Sequence, residues 1–399
     1  MKRRSFVKIS SLASTAIWMP KFLNAFNNLD QAAVPAGNKV VVVIQFSGGN
    51  DGLNTVIPIS NDLYYTNRPK LAIAKERALK LTNDIALHPE LTSLQALHNN
   101  GHLGILNNVG YPNPDRSHFR SMDIWHTASP SNQYWNNGWL GRYLDHQCAG
   151  CDKPTYALEF DDVLGLALKG KEQNGLAFKS PSAFYNNANS KIFEAIKANR
   201  VAQANEQPVD YLYKTLTSTI NSAKYILDQS KRRPTTASYP ATEIGNSFKT
   251  ISSLIQSDIN TKVYYVSLGS FDTHTQQNAT QSRLFKQLND ALLAFTNDLK
   301  AANRFNDVLT FTFSEFGRRV AQNANNGTDH GSASNMFFIS GGLKQKGILN
   351  ELPDLVNLNN GDLKYTVDFK QVYATVLKNW LGANDEKILG AKFEKLNFV

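Results

Sequence analysis

An α/β fold, with a mostly parallel sheet covered by helices on both faces, follows from three observations. Short β-branched or aromatic runs recur along the chain, and stretches with helical periodicity separate them. The first run, residues 39–46 (KVVVVIQF), is apolar without alternation, as a strand buried on both faces requires. With 42% hydrophobic residues, the chain has enough apolar material for a large core.

Taken in order, the run at 39–46 breaks into Ser47-Gly48-Gly49-Asn50-Asp51-Gly52, a glycine-rich loop that must turn sharply at the strand's carboxyl end. Helical periodicity follows at 91–98, then a strand at 103–107 and another at 156–160. Helices are expected at 191–201 and 208–228. The stretch 203–244 is more polar, and its basic triplet Lys231-Arg232-Arg233 reads as a solvated helix end or exposed loop. A strand at 263–268, a long helix at 282–299, strands at 308–313 and 336–339, and a helix near 369–381 complete the chain. Length alone allows several domains, but one α/β domain over 38–399, with insertions, accounts for the pattern.

The formal charge of +9 is concentrated at the N-terminus: Lys2, Arg3, Arg4, Lys8 and Lys21 lie in the first 26 residues, which contain no acids, and the remainder carries +4. That excess is too small, and too poorly striped with aromatics, to indicate nucleic-acid binding. Residues 1–30 have the order of an export signal, basic, then apolar, then small. Lys2-Arg3-Arg4-Ser5-Phe6-Val7-Lys8 resembles the twin-arginine form. The apolar part holds Ser10, Ser11, Ser14 and Thr15 and is too short and polar to span a bilayer. No other segment reads as a membrane span, so an exported protein, periplasmic or extracellular, is expected. Cys148 and Cys151 are the only cysteines. In an oxidising compartment they read as a small-loop disulfide, with free thiols or a redox pair as the other readings.

In open α/β sheets, ligands bind beyond the carboxyl ends of the strands. There the sequence places Asp51 after the first strand, Asp272 and His274 after 263–268, and Glu315 after 308–313. Asp329 and His330 follow before 336–339. Carboxylates mixed with imidazoles suit a divalent metal, with Asp329 either a ligand or a partner holding His330. Each has a plainer counterpart: Asp51 capping a turn, Asp272 capping a helix, Glu315 paired with Arg318 or Arg319. His88 reads as a buried, hydrogen-bonded histidine.

The stretches VVIQFSGGNDGLNTVIP (42–58), LHPELTSLQAL (87–97), RSHF (116–119), FDTH (271–274), SEFGR (314–318) and TDHG (328–331) resemble a bacterial family called domain of unknown function 1501. That family is itself similar to the alkaline phosphatase and sulfatase superfamily. The resemblance implies an alkaline-phosphatase-like core and an exported metal-dependent hydrolase of a phosphate or sulfate ester. Its cofactor would be one or two divalent ions, zinc first, with manganese, magnesium or calcium as alternatives. Asp51 matches the superfamily's first metal ligand, Asp272 and His274 the later pair, and His330 the final histidine. Two departures stand out. Phe316 occupies the place of a ligating histidine, and the Asp272-Thr273-His274 spacing is shorter than the superfamily's. Ser117, expected at a helix N-terminus, is the candidate nucleophile, His118 an acid or ligand, and Arg116 and Arg318 the forks for the anionic group of a small or glycan-linked ester. The alternative is a non-catalytic envelope or secreted protein with a structural metal, binding a glycan or partner protein. The aromatic loop 133–139 (QYWNNGW) would either stack on sugars or pack in the core.

Overall fold

The computed structural model describes residues 38–147, 154–190 and 207–399. The twin-arginine-like leader, both cysteines and the helix expected at 191–201 lie outside them.

The described residues build one nine-stranded sheet and a small antiparallel one of three strands. In chain order the large sheet contains β1 (Val40–Phe46), β2 (Leu103–Gly110), β3 (Ala157–Phe160), β4 (Leu176–Ala177), β5 (Val263–Leu268), β6 (Val308–Phe313), β7 (Ser334–Ile339), β8 (Gly347–Ile348) and β9 (Val367–Asp368). Their spatial order is β8-β2-β7-β6-β1-β5-β3-β4, with β9 also on β2. β1 is central and parallel to both neighbours, Val43 standing opposite Tyr265 on one side and Phe311 on the other. β7 alone runs antiparallel, to β6 and β2. Its connection from β6, residues 314–333, contains no crossover helix. The chain therefore returns at the same edge and must reverse direction.

The period of two in β1 divides the core. Val40, Val42, Ile44 and Phe46 face one cluster, and Val41 and Val43 face the other. The first cluster is closed by α1 (Thr92–Asn99), and the second by α2 (His118–Thr127) and α3 (Trp139–Gln147). α4 (Gln207–Arg232), α5 (Glu243–Gln256) and α6 (Gln277–Ala301) join α1 on the first face, and α7 (Phe369–Thr375) lies on the second. Fully buried parallel strands explain why the runs lack polar alternation. The helix expected near 369–381 divides, α7 passing into a π-helical turn at Val376–Trp380, where the Leu381 amide donates to the Val376 carbonyl. The basic triplet sits exposed at the end of α4. Among the described residues no helix is long and apolar enough to cross a membrane.

Candidate metal centre

Three strand-end loops meet at the carboxyl edge of β1, β5 and β6. The turn after β1 needs its glycines: Gly48 has φ +118°, and a Cβ there would lie 2.4 Å from the Asp272 amide nitrogen. Backbone thus packs on backbone between the 47–51 and 269–273 turns. Arg318, 2% exposed, fastens them from beneath. Its Nε donates to the Gly49 carbonyl at 2.6 Å and its Nη1 to Thr328 at 2.9 Å. Nη2 reaches the Gly48 carbonyl, the Phe271 carbonyl at 3.0 Å and Asp272 Oδ1 at 2.7 Å.

On this base four side chains converge. Asp272 Oδ1 lies 3.1 Å from both His274 Nε2 and His330 Nε2, those two nitrogens are 3.0 Å apart, and His118 Nε2 is 3.4 Å from Asp272 Oδ2. His118 is the first residue of α2, delivered by the loop that leaves β2. The side chains of Asp272 and His274 are 46% and 42% exposed, so the grouping opens to solvent.

The other nitrogen of each ring decides what the Nε2 atoms are. His118 Nδ1 lies 3.0 Å from Glu315 Oε1, His274 Nδ1 3.2 Å from Asp329 Oδ1, and His330 Nδ1 2.8 Å from the Arg116 carbonyl. Carboxylates and carbonyls only accept, so each neutral ring donates from Nδ1 and turns an Nε2 lone pair inward. Three lone pairs and a carboxylate facing one point repel unless a cation or protons lie between them. His118 Nε2 is shielded from solvent and makes no hydrogen bond. Donors about 2.0–2.1 Å from a tetrahedral zinc lie about 3.3 Å from one another, close to the spacings found here. Acceptors on the far nitrogens are the usual partners of metal-binding imidazoles. The residues present therefore fit a divalent ion, and His118, Asp272 and His330 each offer a donor atom within 4.8 Å of the others.

Charge supports the same arrangement. Burial works to raise the Asp272 pKa, but the hydrogen bond and charge of Arg318 oppose it, and the carboxyl is held down to about 2. The hydrogen bond to Glu315 raises the His118 pKa, against burial.

The structure sets the remaining candidates apart from these four side chains. Asp51, 2% exposed, caps the turn after it through Leu53 N (3.2 Å), pairs with Arg68 at 2.5 Å and accepts from Gln277. A fully buried guanidinium thus neutralises Asp51, which does not reach the four converging side chains through any of these bonds. Glu315 and Asp329 orient His118 and His274 rather than facing the centre themselves. Arg116 pairs with Asp362, and its carbonyl orients His330. Arg318 is committed to carbonyls and Asp272, which corrects its reading as an anion fork. Ser117 stands exposed at the N-cap of α2, its amide donating to Asp115 Oδ1 at 2.7 Å and its hydroxyl leaving the helix uncapped. Phe316, 1% exposed, lies under the imidazoles, its ring centroid 4.9 Å from that of His118 and 4.7 Å from that of His330. Arg68 and Gln277 had no motif to reveal them. His88 is buried, accepting from the Glu90 amide at 3.2 Å.

The sequence pattern described as "Protein of unknown function (DUF1501)" matches residues 38–393. No curated protein matches significantly. Among solved structures, the chain is similar to a protein in the alkaline phosphatase superfamily from Vibrio parahaemolyticus (8% identity, 92% of this chain and 74% of that one, TM-score 0.41). It is also similar to the PsFucS1 sulfatase from Pseudoalteromonas sp. (11% identity, 90% and 71%, TM-score 0.40). A third is the C-terminal periplasmic domain of EcEptC from Escherichia coli in complex with Zn (11% identity, 81% and 78%, TM-score 0.35).

Proposed function

The chain belongs to the DUF1501 family, and we propose that it is an exported, metal-dependent hydrolase of a phosphate or sulfate ester. The observation that carries this reading is the convergence of three Nε2 lone pairs and the Asp272 carboxylate, each imidazole fixed by an acceptor on its other nitrogen. His118, Asp272, His274 and His330 would hold the ion, with Glu315, Asp329 and the Arg116 carbonyl orienting the rings. Three nitrogens and one oxygen favour zinc, with manganese next. Arg68 beside Asp51, and Phe316 under the rings, favour one ion rather than two. A divalent ion there supplies Lewis-acid polarisation of the ester and offsets charge on the transferred group.

The chain's own residues do the rest. Ser117, at the start of α2, is assigned the attack, where the helix's free amides face an anion. Arg116, 46% exposed on its side chain, is the arginine placed to meet the anionic group. Four donors fill a tetrahedral site, so catalysis would need a fifth position on the ion, and the partly exposed side of Asp272 and His274 is where a substrate oxygen would enter. The twin-arginine-like leader supports export of the folded protein to the periplasm or beyond.

The test is release of nitrophenol from p-nitrophenyl phosphate and p-nitrophenyl sulfate. Activity should be abolished by chelator, restored by zinc or manganese, and lowered at least about a hundredfold by Ser117→Ala. Metal-loaded protein inert to both esters would refute the hydrolase. It would favour the second reading, a structural metal in a glycan- or protein-binding envelope protein, to which the ion-paired arginines and Phe316 also point.

A further inference from the structure

The aromatic loop 133–139 plays no part in the metal centre, and its residues divide. Trp139 is buried and stacked on Tyr373, centroids 4.1 Å apart. Trp135 instead lines a cavity of about 760 Å³ between the loops flanking α2 and the C-terminal stretch 389–393. We propose that this cavity is a saccharide subsite, taking the glycan body of an ester whose anionic group lies at the metal centre. The position of the ester rests on the hydrolase reading above, whereas saccharide binding is tested without it.

The platform is built in advance. Trp135 Nε1 donates to Gln133 Oε1 at 3.1 Å, and the Arg142 guanidinium lies 4.9 Å from the ring centroid. Arg120 Nη2 donates to the Ser131 carbonyl at 2.9 Å and also to Gln133, fixing the loop that carries the indole. A preformed platform avoids the ordering cost that weakens binding by loops.

The wall chemistry selects the ligand. Trp135 and Phe393 offer aromatic surface, while Asn113, Asn132 and Asp115 line the same cavity. A pyranose ring has an apolar C–H face and a rim of hydroxyls, which need donors and acceptors together, as amides and carboxylates provide. A nucleotide or free polyphosphate would need uncommitted cations, but Lys370, the one cation among these lining residues, lies 3.6 Å from Asp368 Oδ2. A peptide bound by strand addition would need a strand edge, and no strand residue lines the cavity. The volume falls within the range of about 300–1,000 Å³ usual for small-molecule sites.

The cavity and the centre share the segment 115–118. Asp115 lines the cavity and accepts the Ser117 amide, while the intervening Arg116 orients His330. Three residues span at most about 10 Å, so the Asp115 side of the cavity lies within that reach of Ser117.

Calorimetric titration of the full chain with cellohexaose, chitohexaose and a sulfated galactan hexasaccharide tests this. At least one should bind, and both Trp135→Ala and Asn132→Ala should weaken it about tenfold or more. Chelator-treated wild type should bind the two neutral hexasaccharides as tightly as untreated protein does. If none binds the wild type, or if binding is unchanged in both loop variants, the subsite is overturned. Saccharide binding through Trp135 by a metal-free wild type would uphold the subsite and remove the ester chemistry.

Discussion

Glu315→Gln separates a metal centre from a chance cluster of polar groups. Glu315 is 1% exposed, and its Oε1 serves both the Gly48 amide at 2.7 Å and His118 Nδ1 at 3.0 Å. Glutamine has nearly the same shape, so packing is kept and only charge and one acceptor change. Its carbonyl can still meet Gly48 or His118, now without the charge that makes such a bond roughly twice as strong. Loss of an outer partner of a ligating histidine costs about 10–100-fold in metal affinity, or about 1.4–2.8 kcal/mol. Asp329→Asn is the internal control. Asp329 does the same for His274, but its side chain is 55% exposed. Solvent screening reduces such a charge to at most about 1 kcal/mol, hence about fivefold. Zinc affinity would be measured by competition with a chromogenic chelator at pH 7.5, with near-ultraviolet circular dichroism as the check on folding. Glu315→Gln within twofold of wild type, or Asp329→Asn the more damaging, would refute the reasoning.

Three further outcomes are expected. Burial lowers the His88 pKa from 6.5 to about 4. Between those values the unfolded chain binds the extra proton, so this stability is complete above pH 6.5 and is lost as pH falls toward 4, by about 3 kcal/mol. In urea unfolding of chelator-treated protein, His88→Gln should show a correspondingly flatter difference between pH 7 and pH 4.5. Arg68→Met leaves the Asp51 carboxylate buried without its cation and should cost about 3–5 kcal/mol by the same assay. Metal content should stay unchanged at temperatures where the variant is folded, and loss of the ion alone would restore Asp51 as a ligand. Gly48→Ala forces a side chain to φ +118° and against the Asp272 amide, so it should destabilise the protein and weaken metal binding together. An alanine variant with wild-type affinity would show that the two turns tolerate separation.

The strands were legible because parallel strands buried on both faces leave unbroken β-branched runs, as at 40–46. The reversal of β7 was not, because strand direction depends on the connection rather than on composition. That Asp272, His274 and His330 would lie together could be read from their place after strands. Glu315 and Asp329 were found with them but in another role, since spacing shows that a carboxylate is near an imidazole and not which of its atoms faces the centre. Asp51 looked like a ligand because its partner Arg68 sits 17 residues away in a loop with no pattern of its own. His118, read from the sequence as an acid or a ligand, reaches Asp272 because the loop after β2 returns across the sheet edge, a long-range closure that local periodicity does not encode.

Metal content of the wild-type protein and of the Asp272→Ala/His330→Ala double variant, purified without chelator and read by mass spectrometry, is the most direct test. About one divalent ion per chain in wild type, absent from the folded variant, is the predicted result. A well-folded wild type without metal, or a double variant that keeps its ion, would contradict the account.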